Sequence, residues 1–68
     1  MITAVIIDDE IKKANYLKEM LERSTPSVIL KGIATSAEEG IKLIIKEQPQ
    51  LLFLDIELQT STGFDLLN

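Results

Sequence analysis

The chain has 68 residues, a net charge of -4, 46% apolar and 26% charged side chains, and neither cysteine nor histidine. Disulfides and Cys/His zinc sites are therefore excluded, and a carboxylate-held metal or a partner chain is left to support a core that, at this size, buries only about 60% of the unfolded surface. The acidic balance opposes non-specific nucleic-acid binding, and the longest apolar run, four residues, cannot span a membrane. The N-terminus lacks the basic and apolar regions of a secretory signal, so a cytoplasmic setting is expected.

The first element is a strand at Ala4-Val5-Ile6-Ile7, followed at once by Asp8-Asp9-Glu10. Such a continuous β-branched run suits a strand covered on both faces, as in a parallel sheet. Residues 11–23 read as a helix whose apolar face is Ala14, Leu17 and Leu21, with Met20 beside them. Pro26 ends it. The second strand spans 28–34, and its embedded Lys31 and Gly32 mark an exposed edge. Ser36 and Glu39 form a capping box for a second helix, expected to bury Ala37, Ile41, Ile44 and Ile45 and to end at Pro49. The third strand is Leu51-Leu52-Phe53-Leu54, closing on Asp55. A polar loop at 59–63 leads into a further helix start at 64–68, with Thr62 as its cap.

Strands alternating with helices imply an α/β fold with parallel pairing through right-handed crossovers. The pattern stops inside its third helix, so residues 1–68 are expected to be the front portion of one domain.

In an open parallel sheet, ligands bind beyond the carboxyl ends of the strands. Asp8 and Asp9 follow the first strand and Asp55 the third, so three carboxylates are expected in one crevice. No Lys or Arg is obviously placed to neutralise them, and a hard divalent ion resolves the repulsion. Mg²⁺ suits it, since it takes a few carboxylates and keeps several waters. A carboxylate beside Mg²⁺ can also attack phosphorus, the metal offsetting charge on the transferring oxygens.

The runs Ile6-Ile7-Asp8-Asp9-Glu10, Leu52-Phe53-Leu54-Asp55-Ile56-Glu57-Leu58 and Thr62-Gly63-Phe64-Asp65-Leu66-Leu67 resemble the receiver domain of bacterial two-component response regulators over the whole chain. The resemblance implies a flavodoxin-like (CheY-like) doubly wound sheet, truncated to strand-helix-strand-helix-strand plus the start of a third helix. It implies Asp55 as acceptor of a phosphoryl group from a sensor histidine kinase. It also implies Mg²⁺ ligation by Asp9 and Asp55 directly, by Asp8 through water and by the Glu57 backbone carbonyl. Gln59 stands where the family usually has proline, and the family's later hydroxyl and lysine partners belong to strands beyond this segment. Glu10 and the wording of residues 54–58 look most like regulators with a LytTR-type DNA-binding domain, so DNA is expected as a partner only through an effector outside this chain.

Other readings compete. Asp8, Asp9 and Glu10 could cap a helix and Asp55 could close a strand, without chemistry. A Mg²⁺-dependent phosphohydrolase would want a second acid two residues on and then Thr, which residues 55–58 match in part. A topoisomerase-primase type of acidic metal site would use Glu10, Asp55 and Glu57 but leave Asp8 and Asp9 without a role. Lys12, Lys13, Lys18, Lys42 and Lys46 read as solvated helix faces. With no fourth strand beside it, the apolar third strand is expected to pair with its own copy antiparallel, giving a six-stranded homodimer, or else to exchange a segment.

Overall fold

The computed structural model describes residues 1–55, ordered β1 (Ile2–Asp8), α1 (Ile11–Ser24), β2 (Val28–Ala34), α2 (Ala37–Glu47) and β3 (Leu51–Asp55). The expected helix start at 64–68, the Thr62 cap, Gln59 and Glu57 lie outside the described residues. The three strands form one parallel sheet in the order β2-β1-β3. This is the truncated flavodoxin-like arrangement expected from the sequence, with β1 central.

Burial follows position in that order. Ala4, Val5, Ile6 and Ile7 of β1 are at most 3% exposed, and with Ala14 and Ala34 they make up the buried apolar core among the described residues. Four consecutive buried residues are what a strand covered on both faces requires. β2 is an edge, as Lys31 and Gly32 suggest. Ala4 pairs with Leu30 and Val5 with Gly32, so the register shifts at exposed Lys31. A bulge carrying a lysine is a common way to blunt an edge.

α1 and α2 cover opposite faces. Ala14 is the fully buried residue of α1, with Leu17 and Leu21 half-buried, while Met20 is 45% exposed. α2 departs from expectation. Ala37, Ile41 and Ile45 are exposed, Ile44 is half-buried, and the inward face is carried by Gly40 and Leu43. A Cβ at Gly40 would lie 2.5 Å from Ile7 Cδ1, and one at Gly32 would lie 2.9 Å from Leu43 Cδ1. The helix is therefore seated on its glycine, and the seating turns Ile41 and Ile45 away from the strands beneath.

The helix ends obey local rules. Ser36 Oγ accepts from the Glu39 amide at 3.1 Å and donates to Glu39 Oε1 at 3.5 Å. The first bond is the expected cap; the Glu39 carboxylate meets the hydroxyl instead of the Ser36 amide. α2 ends on Gln48, in the left-handed region at φ 46° and ψ 58°, whose amide bonds Ile44 O at 2.8 Å. Pro49 follows. Gln50 then locks β3 to β1: its amide bonds Thr3 O at 3.0 Å, and its side-chain Oε1 accepts from the Thr3 amide at 3.1 Å. That clasp starts the register Ala4–Leu51, Ile6–Phe53 and Asp8–Asp55.

Candidate functional site

The clasp at Gln50 and the unbroken β1–β3 ladder decide where two acids meet. Counting along both strands from Ala4–Leu51 brings Asp8 opposite Asp55, at the carboxyl end of the sheet. Parallel neighbours lie about 4.8 Å apart and paired residues project to the same face. Ala4, Ile6 and Asp8 thus share a face with Leu51, Phe53 and Asp55, and that face is the one α1 covers.

Asp8 is 5% exposed, the one buried charged residue among those described. Its Oδ1 accepts from the Glu10 amide at 2.8 Å. This bond shapes the turn from β1 into α1. Glu10 occupies the helix N-cap with extended backbone and makes no side-chain cap bond. The Glu10 side chain therefore does not cap α1. Asp9 follows the strand and is exposed.

An open cleft of about 260 Å³ lies at this end of the sheet, lined by Ile6, Asp8, Lys13, Leu17, Phe53, Leu54 and Asp55. Its floor is apolar and its rim carries both strand-end carboxylates. Asp8 and Asp55 are brought together as the strand pattern leads one to expect. Asp9 is next to Asp8 in the chain but outside the lining. Glu57 lies outside the described residues. Lys13, expected on a solvated helix face, is exposed there and also lines the cleft, 3.7 Å from Glu10 Oε2. The signal for it was available: residue 13 is on the same turn as Ala14 and just behind the acids.

Among the described residues no three acids converge into a ready ligand group. Mg²⁺ asks for less, commonly one or two carboxylates with water completing the shell. A paired Asp8 and Asp55, with Asp9 adjoining, suits an oxygen-seeking divalent ion in the chemistry of its donors. No helix of the described residues is long and apolar enough to cross a membrane.

Comparison with known proteins bears on the same residues. The family model for the response regulator receiver domain matches residues 4–68. The chain is 35% identical over 68 residues to the sensory transduction protein LytT of Bacillus anthracis, covering all of this chain and 27% of that protein. It is 44% identical over 66 residues to protein-glutamate methylesterase/protein-glutamine glutaminase 3 of Geobacter sulfurreducens, covering 97% of this chain and 18% of that one. It is 37% identical over 67 residues to a response regulatory protein of Shewanella oneidensis, covering 98% of this chain and 28% of that one. The chain thus spans between 18% and 28% of these relatives' length, and no solved structure matches it. Parallel β2-β1-β3 order, paired acids at the strand ends and a family match over nearly the whole sequence agree: the chain belongs to the response regulator receiver domain family of two-component signalling.

Proposed function

We propose that Asp55 accepts a phosphoryl group from the phosphohistidine of a sensor kinase, with Mg²⁺ held by Asp8, Asp9 and Asp55 and by the Glu57 carbonyl. The observation that carries this reading is the Asp8–Asp55 pair at the mouth of the cleft. Asp55 is exposed at the end of β3, open to an incoming phosphorus. An Asp55 carboxylate oxygen forms the new P–O bond as the P–N bond to the kinase imidazole breaks, and the imidazole takes up a proton. Buried Asp8, held by the Glu10 amide, stays in place as a second negative group. Bound Mg²⁺ would supply charge compensation for the transferring oxygens.

Within this reading the chain is a cytoplasmic regulatory module, not a free-standing enzyme, and its phosphorylation state controls an effector beyond residue 68. A DNA-binding effector of LytTR type is the one the likeness to LytT favours. The phosphohydrolase and topoisomerase-primase readings have no support from the family match, and Glu10, which the latter needs, is ion-paired to Lys13. A second reading concerns assembly: the 68-residue chain by itself pairs with a second copy along β3. It is favoured by β3 being the sheet edge among the described residues, with Leu51, Leu52 and Leu54 37%, 41% and 62% exposed.

The test of phosphorylation is a small phosphodonor with Mg²⁺, applied to the full-length parent and read by intact mass. One phosphoryl group should be gained by the wild type and none by Asp55→Asn. A modified Asp55→Asn protein would refute the assignment.

A further inference from the structure

The cleft holds a positive charge for which the acidic motif gave no reason. Lys13 lies in the first turn of α1, and its side chain lines the same cleft as Asp8 and Asp55. Its ammonium lies 3.7 Å from Glu10 Oε2, so the side chain leans back over the turn that Asp8 holds in place. The side chain is 61% exposed, so water and salt weaken its field without abolishing it. Lys12, its chain neighbour, is exposed and is not part of the lining.

We infer that Lys13 is a built-in counter-cation of the acidic cleft, offsetting Asp8–Asp55 repulsion in the metal-free state and opposing entry of a divalent ion. The inference rests on the reading of Asp8, Asp9 and Asp55 as a Mg²⁺ site. A divalent ion entering this cleft meets two attractive carboxylates and one repulsive ammonium. Neutralising the ammonium removes the repulsion and also releases the Glu10 carboxylate from its pair. Both changes act in the same direction and tighten binding. In a partly solvated cleft, a unit charge acting on a divalent ion should change affinity about 3- to 10-fold. The effect should shrink as salt shortens the reach of the field. Lys13 is thus a tuning residue: it sets how much Mg²⁺ the site needs, and it takes no part in bond making.

The experiment is a Mg²⁺ titration of the protein at low and high ionic strength, read from the amide shifts of Asp8, Asp9 and Asp55. Lys13→Gln keeps most of the aliphatic stem and an exposed polar end, so the fold is retained. It should bind Mg²⁺ about 3- to 10-fold more tightly at low salt, with the gap narrowing at high salt. Lys13→Arg should match the wild type. Lys12→Gln, with the same net charge as Lys13→Gln, should change affinity far less. Equal affinity of Lys13→Gln and wild type, or equal gains in Lys13→Gln and Lys12→Gln, would overturn the role of Lys13 while leaving the metal site standing. Absence of shifts at Asp8, Asp9 and Asp55 in every variant would instead remove the metal site, and the inference with it.

Discussion

A Cβ at Gly40 would stand 2.5 Å from Cδ1 and 3.0 Å from Cγ1 and Cγ2 of Ile7, whose side chain is 3% exposed in the central strand. Ile7 has little room to retreat, because its neighbours Val5 and Ile6 are buried as well. Gly40→Ala should therefore lift α2 from the sheet and destabilise the protein by about 1–3 kcal/mol, more than the gain in helix propensity returns. Urea unfolding of both proteins measures the difference; an alanine variant as stable as the wild type would show that α2 is not seated on this contact. The same scale holds the chemistry. Asp8 and Asp55 come from strands with a long stretch of chain between them, yet they sit in one register pair. Asp8 keeps its orientation through one bond from the Glu10 amide.

At the scale of elements, the helix ends are where sequence and structure agree most closely. Pro26, Ser36 and Pro49 each act through local backbone chemistry, and each boundary falls where that chemistry places it. The end of α2 is nevertheless strained. Gln48 takes a left-handed conformation that costs a residue with a Cβ roughly 1–2 kcal/mol and glycine almost none. Gln48→Gly should stabilise the protein by about 0.5–1 kcal/mol, part of the relief being lost to the greater freedom of the unfolded chain. A rise in the urea midpoint at unchanged slope would register it, and a fall would mean that the exposed Gln48 side chain contributes contacts worth more than the strain. The face of α2 was harder to read. Its isoleucines outweigh Gly40 in any hydropathy count, but a helix lies closest to a sheet where its side chains are smallest. Ile41 and Ile45 are consequently 59% and 69% exposed.

For the whole molecule the decisive feature is that cover is uneven across the sheet. Among the described residues β1 is flanked on both sides, whereas neither α1 nor α2 packs closely on β3, whose residues are exposed apart from half-buried Phe53. By itself the 68-residue chain should therefore dimerise, β3 meeting its copy antiparallel to make a six-stranded sheet, with segment exchange as the other route to a dimer. Sedimentation equilibrium at micromolar concentration should return twice the chain mass. Leu52→Lys, which places a charge on the new seam, should return the monomer. A cooperative wild-type monomer would show that the uneven cover is sufficient.

The sequence determined by itself the order of elements, the parallel sheet, the Ser36 cap and the acids at two strand ends. These depend on interactions between near neighbours: a β-branched run, a serine three residues before a glutamate, a proline that cannot continue a helix. It also supplied the family, because the acidic pair, Asp55 and the run from Thr62 keep the family's wording. The tertiary structure alone decided which face of α2 points inward, that Lys31 sits in a bulge, and that Lys13 shares a cleft with Asp8 and Asp55. Each of these depends on how closely two surfaces approach and in which register. Such distances arise between segments far apart in the chain, and hydrophobic periodicity, which reports only which residues share a side, contains no measure of them.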